Sequence, residues 1–365
     1  MTRAALDVRT LNRTLLDRQL LLRRRGADAL AVIERLVCMQ AQVPRDPYVG
    51  LWCRIKGFAP RNLAVPMQGR RAVRMTLLRG TLHLATDRDA LVLRPTLAPV
   101  MERLMYKGSP FGRQLEGVDT RAVLREAATL LGEQPRTRAQ LAPLLGERWP
   151  DHDATALAYA ATYLLPLVQV TPRGIWGRSG PSAFTTLGSW LGRPLGAPDV
   201  DGLVRRYLTA FGPASAADLA SWSGLTATGE LLERLKPELR TFRDERGREL
   251  FDVDDGRLRA ADTPAPVRFL PEYDNVLLAH ADRSRVVPEG MPQWTGIGWG
   301  SVLVDGFVGA RWRFGKDAVV RVEPFAKLTR TTHREIADEG SRLASFLTDG
   351  ASADVQIVPA GAASP

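Results

Sequence analysis

The sequence has few of the residues that build disulfide frameworks or metal sites. Its 365 residues include only 2 cysteines, Cys38 and Cys53, and 4 scattered histidines. No HExxH, CxxC or EF-hand pattern occurs in it, and the two cysteines give neither a disulfide framework nor the spacing of a zinc site. We therefore expect no structural or catalytic metal and no cofactor.

Long apolar runs are also absent. The first ten residues, MTRAALDVRT, lack the apolar centre of a signal peptide. No segment approaches about 18 uninterrupted apolar residues, the length that a membrane-spanning helix needs. These absences predict a cytoplasmic protein without a membrane span.

Lysine is scarce, although the net charge is +10. Arginine supplies nearly all of the positive charge, because lysine occurs only at positions 56, 107, 236, 316 and 327. A basic surface attracts polyanions, so nucleic acid is the first partner to consider and an anionic membrane surface the second. The alternative explanation is the codon bias of a GC-rich genome.

The first part of the chain has the order helix, helix, hairpin. Apolar residues recur at helical spacing in Asp28–Met39, and Pro47 after Asp46 favours a second helix start. Val73–Leu78 and Thr81–Thr86 are typical of strands joined at a turn. This order is the outline of a winged helix, and we predict one over residues 1–115.

The middle of the chain repeats that outline twice, over residues 116–195 and 196–262. In the first copy we predict helices and then a hairpin at Thr120–Leu131, Thr137–Ala142, Asp153–Leu165, Leu167–Val170 and Gly174–Arg178. In the second copy the corresponding elements are Asp201–Phe211, Ser215–Trp222, Thr226–Leu235, Leu239–Arg243 and Glu249–Val253.

Residues 263–350 change to short apolar runs separated by turns. Asp305-Gly306 is a strong hairpin signal, and it favours a small antiparallel sheet or barrel. The predicted strands and the helix that follows are Val267–Leu270, Val302–Val304, Phe307–Trp312, Ala318–Val322 and Thr331–Leu347. Residues 351–365 are predicted to be a flexible tail. The predicted fold class is therefore α+β, with three tandem winged-helix units and a C-terminal β domain in a concave, C-shaped arrangement.

Winged helices commonly bind DNA by placing one helix in the major groove while flanking elements hold phosphates. Arginines at predicted turns and wings are the candidate phosphate contacts, namely Arg173, Arg178, Arg243 and Arg246. Each one alone is better explained as a solvated charge. Together they favour duplex DNA as a partner, because binding strengthens with the number of phosphates neutralised.

An ordered set of motifs gives the chain a family resemblance. The motifs are Gln40-Ala41-Gln42, Leu78–His83, Leu270–Asn275, Ala279–Arg283 and Val302–Trp312. In this order, over roughly residues 8–345, the chain resembles the AlkZ/YcaQ-like DNA glycosylases. The resemblance implies tandem winged helices that release alkylated bases and unhook interstrand crosslinks.

The resemblance also implies that Gln40 and Gln42 are the catalytic pair. A glutamine amide is neutral and cannot act as a general base, but it can orient a water molecule. That suffices when the leaving base is already cationic, as an N7-alkylated purine is. We therefore predict hydrolysis of the N-glycosidic bond of bulky cationic N7-alkylated purines. The resemblance implies self-resistance to a genotoxic natural product as the biological role, with housekeeping repair as the alternative.

The spacing of the two glutamines sets a structural condition. Residues at i and i+2 diverge on a helix, so both can serve one site only if the helix ends near Met39. The alternative is that they cap the helix or lie in solvent. Four nearby residues are predicted to contact DNA: Arg45, Arg79, Thr81 and His83. A turn role is the alternative for Arg79, and a hydrogen-bonded histidine within a strand is the alternative for His83.

Further polar residues follow near the C-terminus, namely Tyr273, Asp274, His280, Asp282 and Arg283. They could form an acid/base site, since histidine titrates near neutrality. A polar network that braces the C-terminal sheet is the favoured interpretation.

Two other functions compete with this prediction. A noncatalytic winged-helix transcriptional regulator would explain the fold and the charge, whereas a nuclease would need clustered acidic metal ligands that the sequence lacks. A lyase would need an amine, and Lys56 is the nearest lysine to the glutamines. We therefore predict a monofunctional glycosylase that acts as a monomer close to the nucleoid.

Overall fold

The structure is a computed structural model that describes residues 5–292, 296–351 and 354–359. Residues up to 115 form helices α1–α6 at Val8–Arg18, Ala29–Arg35, Asp46–Trp52, Arg61–Gln68, Asp87–Thr96 and Ala98–Arg103. Their strands β1–β3 are Met39–Gln40, Ala72–Thr76 and Leu82–Thr86. The predicted helix start at Asp46 and both hairpin strands are confirmed.

The helix predicted over Asp28–Met39 is shorter than expected. Asp28 caps it by accepting a hydrogen bond from the Leu30 backbone N–H at 2.9 Å, and the helix ends at Arg35. Val37 then has a φ of 68°, in the left-handed region that a continuing helix does not enter. The chain therefore leaves the helix early and becomes extended at Met39–Gln40.

The next segment contains α7–α10 at Thr120–Glu133, Arg138–Arg148, Ala154–Leu164 and Leu187–Leu191. Its strands β4–β6 are Arg136–Thr137, Leu167–Gln169 and Ala183–Thr186. The strand predicted at Gly174–Arg178 is wrong, because the partner of β5 is Ala183–Thr186. Gly174 and Gly177 have φ values of 91° and 68°, and these turns fold residues 170–182 into a loop.

One six-stranded sheet crosses the predicted boundary between residues 115 and 116. Its strand order is β1-β3-β2-β5-β6-β4. The junction is the antiparallel pair β2–β5, with Arg74 opposite Gln169 and Met75 opposite Val168. The first two predicted units therefore share a sheet, and the boundary between them stays a prediction.

The third predicted unit matches its expected elements closely. It contains α11–α13 at Val200–Phe211, Ala216–Ser223 and Thr228–Leu235, and strands β7 and β8 at Leu239–Arg243 and Glu249–Val253. The aromatic rings of Tyr207, Phe211 and Trp222 pack together on its inner side. The helix order and hairpin are confirmed, whereas the winged-helix assignment itself stays a prediction.

The C-terminal segment contains an open mixed sheet. Its elements are β9 Arg268–Leu270, α14 Asn275–Leu278, β10 Gly300–Val304, β11 Phe307–Phe314, β12 Val319–Pro324, α15 Arg330–Leu347 and β13 Asp354–Ile357. The strand order is β13-β12-β11-β10-β9, and the hairpin at Asp305-Gly306 is confirmed by the pairing of Val304 with Phe307. The prediction allowed a sheet or a barrel, and the described strands form an open sheet and not a closed barrel.

The tail after Gly350 differs from its prediction. Asp354–Ile357 adds to β12 as a parallel strand, where Val355 packs against Gly340 of α15. Apolar burial and backbone hydrogen bonds therefore order a segment whose composition indicated flexibility. Residues 352–353 and 360–365 of the predicted tail lie outside the described residues.

Two main hydrophobic cores organise the chain. Residues of the first and third units share the larger core with the C-terminal segment, and residues 105–184 contain a second core around Val123, Leu141 and Leu157. Within the described ranges, no helix is both long and apolar enough to cross a membrane. The shared core holds the first unit rigidly against two other parts of the chain.

Candidate active site

The two glutamines lie where strand β1 ends. Gln40 pairs with His83 of β3, and the Ala41 backbone N–H donates to the Leu82 carbonyl at 2.8 Å. The chain then bends, and α3 begins at Asp46. Because the preceding helix ends at Arg35, the structural condition set by the spacing of the glutamines is met.

Gln40 is held by an arginine of the β2–β3 turn. Its side chain is 8% exposed, and its Oε1 accepts a hydrogen bond from Arg79 Nη2 at 3.3 Å. Arg79 Nη1 donates to the Trp222 carbonyl of α12. Both ends of this guanidinium are therefore engaged within the protein, which differs from the predicted role of Arg79 as a DNA contact.

Gln42 is exposed and bonds to the same turn from its other end. Its Oε1 accepts a hydrogen bond from the Leu82 backbone N–H at 3.4 Å. Gln42 and Leu82 line a cavity of about 350 Å³. Three arginines also line this cavity, namely Arg74, Arg138 and Arg173.

The sheet register determines how the glutamines are arranged. Gln40 shares a face with His83, its cross-strand partner, whereas Arg74 points to the opposite face because strand side chains alternate. The bend after Ala41 is what brings Gln42 to the cavity on the Arg74 side. The glutamines therefore flank one turn, residues 79–82, and Gln42 alone of the two lines the cavity.

His83 and Thr81 have structural partners in this turn. The His83 ring is 2% exposed, and its Nδ1 donates to the Thr81 carbonyl at 2.9 Å. Burial and the charge of Arg79 lower the pKa of His83 to about 3, so the ring is neutral near pH 7. The burial of the ring does not favour the predicted contact of His83 with DNA, which stays a prediction. Thr81 Oγ1 donates to the Leu78 carbonyl at 3.2 Å and closes the turn.

A second cavity lies next to residues 40–46, which carry the two glutamines and which we call the glutamine segment. It has a volume of about 480 Å³, and its lining includes Pro44, Arg45, Trp176 and Arg178. The loop of residues 170–182 lines both cavities and is joined to α3, since the Tyr48 hydroxyl donates to the Gly174 carbonyl at 3.0 Å. Three predicted DNA contacts therefore flank the glutamines: Arg45, Arg173 and Arg178.

The predicted arginines of the β7–β8 hairpin have partners of their own. Arg243 Nη1 donates to the Gly247 carbonyl at 2.7 Å, and Arg246 Nη1 lies 3.2 Å from the Asp282 carboxylate. Among the described contacts, these arginines bond within the hairpin and to the C-terminal segment rather than to the glutamine segment.

Three of the five polar residues predicted near the C-terminus, Asp274, His280 and Asp282, contact elements outside the C-terminal segment. Asp274 makes a buried bidentate ion pair with Arg54, with N–O distances of 2.8 and 2.7 Å. His280 Nε2 donates to the Phe211 carbonyl at 3.1 Å, and Asp282 pairs with Arg246 and Arg248. The partners lie in the first and third units, so these contacts fasten segments together and do not brace the C-terminal sheet.

The acid/base alternative requires a histidine that titrates near neutrality, and His280 does not meet this requirement. Burial lowers the pKa of His280 to about 3, and the charge of Arg285 acts in the same direction. Tyr273 has its pKa raised to about 12 by burial and by its hydrogen bond to Glu272. Arg283 lies near enough to Arg79 for its charge to lower the pKa of that guanidinium, although burial is the larger cause.

Sequence reasoning missed a carboxylate pair next to the glutamine segment. Asp46 Oδ2 and Glu272 Oε1 are both buried without a hydrogen-bond partner among the described atoms. Burial, followed by the Glu272 charge, raises the pKa of Asp46 to about 7. No local pattern in the sequence connects these two positions, which lie far apart along the chain.

The cavity residues Arg74, Arg138, Tyr159 and Gln169 were also missed. They come from β2, α8, α9 and β5, and no local pattern connects those elements. Chemically, the site combines two neutral amides with a strongly basic surface and no lysine in either cavity lining among the described residues. Such an arrangement can bind an anion and orient water, and it offers no amine for Schiff-base chemistry.

Comparison with known proteins places this geometry in a family. A family model described as "DNA glycosylase AlkZ-like" matches residues 33–346. The chain is 27% identical to the "Interstrand DNA cross-link repair glycosylase" of Streptomyces sahachiroi, over 90% of this chain and 93% of the relative. Its fold is similar to that of the Streptomyces sahachiroi DNA glycosylase AlkZ, with a TM-score of 0.75 at 21% identity, covering 97% of this chain and 100% of the other. The chain belongs to the AlkZ-like DNA glycosylases, enzymes that hydrolyse N-glycosidic bonds.

Proposed function

We propose that this DNA glycosylase is monofunctional and hydrolyses the N-glycosidic bond of bulky, cationic N7-alkylated purines in duplex DNA. The catalytic pair is Gln40 and Gln42. The observation that carries the proposal is that both side chains bond to the turn of residues 79–82, at the edge of an arginine-lined cavity.

The leaving base needs little activation by the protein. Alkylation at N7 gives the purine a positive charge, so the C1′–N9 bond breaks with its electron pair moving to the base. A water oxygen then bonds to C1′, and its proton passes to solvent. Gln42 is exposed and can hold that water, while Gln40 is fixed by Arg79 and contributes an oriented dipole.

The product is an abasic site, because no amine is positioned to attack the sugar. Lysine occurs at five positions in the chain, and none of them lines either cavity beside the glutamines within the described ranges. A lyase would form a Schiff base between such an amine and C1′. The enzyme therefore stops after hydrolysis.

Interstrand crosslinks are included among the substrates. The Streptomyces sahachiroi relative is an interstrand DNA cross-link repair glycosylase, and this chain aligns with 93% of that protein. A crosslinked base is tethered to both strands and cannot rotate fully into an enclosed pocket. We propose that winged-helix units at 1–115, 116–195 and 196–262 form an open concave surface, which lets the monomer act on the lesion within the duplex.

The phosphate contacts of this surface come from exposed or half-buried side chains, namely Arg45, Thr81, Arg173, Arg178, Arg243 and Arg246. The substrate places the enzyme with the chromosome. Self-resistance to a genotoxic natural product is the proposed biological role, and it predicts that deletion sensitises the producing cell to that compound.

The test is release of free base from a duplex that carries one 7-methylguanine or one N7–N7 crosslink. Gln40→Ala and Gln42→Ala should each lower the single-turnover rate by at least about tenfold while the Kd for the duplex changes less than about threefold. Gln68→Ala, an exposed glutamine at the end of α4, is the matched control and should retain full activity. Unchanged rates in both variants would remove the glutamines from the mechanism.

The same experiment bears on the transcriptional regulator considered from the sequence. A regulator would bind the duplex and release no base. The family match does not favour that alternative.

A further inference from the structure

The cavity beside Gln42 contains more positive charge than its surroundings balance. Arg74 comes from β2, Arg138 begins α8 and Arg173 lies in the loop of residues 170–182. No aspartate or glutamate lines the cavity, and none of the three arginines makes an ion pair within the described part of the chain. We call this space the arginine cavity. Three guanidinium groups facing one volume without a carboxylate favour an anionic occupant.

Two of these arginines have polar atoms without partners. Arg74 is buried; its Nη2 donates to the Ala41 carbonyl at 2.6 Å and its Nη1 to Gln169, while its Nε has no partner among the described atoms. Arg138 Nε is likewise buried and unpartnered. Burying a cation without a counter-charge is unfavourable, and burial together with the charge of Arg173 lowers the pKa of Arg74 to about 10. An anion in the cavity would relieve that cost.

The lining includes three aromatic rings, Tyr159, Tyr163 and Phe184, and its polar groups favour a phosphate over a nucleobase. The Tyr159 ring has Phe111 stacked at a centroid distance of 4.1 Å, and the Arg138 guanidinium lies 4.3 Å from its centroid. Two groups this close to one ring occupy its two faces, so Tyr159 cannot stack on a base. The polar lining is mostly hydroxyl and amide groups, namely Gln42, Thr76, Thr162, Gln169 and Ser182. Donors of this kind, together with planar guanidinium groups, suit tetrahedral phosphate oxygens.

We propose that the arginine cavity binds one phosphodiester of the damaged DNA strand and so sets the position of Gln42 relative to the lesion. The inference rests on the proposed function, since it takes duplex DNA as the substrate and Gln42 as part of the site. Gln42 lines the cavity itself, which places the bound phosphate within a few nucleotides of the reacting sugar. Arg138 and Arg173 would make the contact, and Arg74 would supply charge from beneath.

The experiment replaces single phosphates by neutral methylphosphonates. The full-length protein is given duplexes with one 7-methylguanine and one methylphosphonate at each of the three positions on either side of it. For the wild type we expect one position to lower kcat/KM by about tenfold or more, and the other positions by less than about threefold. Equal effects at all positions would overturn the proposal.

Protein variants then test whether the sensitive phosphate lies in the arginine cavity. Arg138→Gln and Arg173→Gln should each lower kcat/KM for the unmodified duplex by about tenfold. In these variants a methylphosphonate at the sensitive position should lower kcat/KM no more than one at the other positions. Arg121→Gln, an exposed arginine of α7 outside the cavity lining, is the matched control and should retain the wild-type pattern. Variants that lose activity and still distinguish that position would place the phosphate elsewhere. Thermal melting confirms that each variant is folded.

Two further arms separate the sources of phosphate and the two proposals. Competition by millimolar inorganic phosphate without any methylphosphonate effect would mean that the cavity binds free anions, and this would overturn the DNA contact. If the wild type released no base, the proposed glycosylase substrate would be wrong, and the same duplex series read by fluorescence anisotropy would still test the phosphate contact. If the wild type released base and its kcat/KM did not depend on the position of the methylphosphonate, only the arginine cavity proposal would be overturned.

Discussion

Arg79 Nη2 lies 3.3 Å from Gln40 Oε1, and the other side of the same guanidinium binds the Trp222 carbonyl. The β2–β3 turn, the glutamine segment and helix α12 are therefore joined through one side chain. Arg79 adopts a φ of 54°, a backbone conformation that is uncommon outside glycine. The arrangement indicates that Arg79 is a positioning residue for Gln40.

Replacing Arg79 should therefore affect the rate more than DNA binding. Arg79→Lys keeps the charge but cannot bond to Gln40 and Trp222 together, so Arg79→Lys and Arg79→Met should both lower kcat by about tenfold. The Kd for the duplex should change less than about threefold. Single-turnover kinetics and anisotropy titrations measure the two effects. If Arg79→Lys is fully active while Arg79→Met loses DNA affinity, Arg79 is a phosphate contact instead.

A carboxylate at position 42 should widen the substrate range. Gln42→Asp adds a group that can accept a proton from water, which a neutral amide cannot do. We expect release of a neutral modified base to rise by at least about tenfold relative to release of 7-methylguanine. Gln42→Asn keeps the amide and controls for side-chain length. An unchanged ratio in Gln42→Asp would show that the leaving group does not limit the choice of substrate.

The Asp46–Glu272 pair should make stability depend on pH. Burial and the Glu272 charge raise the pKa of Asp46 from 3.8 to about 7, with Arg45 and Asp274 as the other charged neighbours. The folded state therefore favours the protonated acid. The contribution of Asp46 to the free energy of unfolding is complete below about pH 4 and is lost as the pH rises through about 7.

Asp46→Asn imitates the protonated acid and should remove that loss. Relative to the wild type, its free energy of unfolding should rise between pH 5 and pH 8 by on the order of 2 kcal/mol. Urea unfolding at both pH values measures the difference. Asp151→Asn, at an exposed position, is the control and should show no such trend. A pH-independent difference for Asp46→Asn would mean that Asp46 is ionised throughout this range.

The Arg54–Asp274 pair should support the fold and take no part in the chemistry. Both side chains are almost fully buried, at 0% and 1% exposure, so Asp274→Ala leaves an uncompensated guanidinium inside the protein. We expect a loss of about 3–5 kcal/mol in unfolding free energy. At a temperature where the variant is folded, its kcat should match that of the wild type. A folded Asp274→Ala with no base release would restore the acid/base interpretation of this segment.

Local patterns predicted most of the elements, because those patterns act over short distances. The third unit is the clearest case, where the strand pair at Leu239–Arg243 and Glu249–Val253 has the expected bounds and the helices lie close to theirs. Predictions went wrong where a distant contact decides the conformation. Gly174–Arg178 is a turn that packs on Tyr48 of α3, and Asp354–Ile357 is ordered by pairing with β12.

The candidate site divides in the same way. The residue types of Gln40 and Gln42 predict water-directed chemistry on a cationic base, because a neutral amide can orient water but cannot act as a general base, and this stays a prediction. The individual partners were not predictable. His83 was expected at the DNA and is buried, and Arg79 was expected at a phosphate and holds Gln40.

The sequence by itself determined the basic character of the chain, the order of its helices and strands, and the presence of two neutral amides at the start of the site. Periodicity, turn chemistry and charge are properties of neighbouring residues and need no knowledge of the fold. The tertiary structure alone decided that Arg74, Arg138 and Arg173 line one cavity with Gln42, and that Asp46 lies near enough to Glu272 for that charge to raise its pKa. These residues are separated by tens to hundreds of positions, and only the shared sheet and the shared core bring them together.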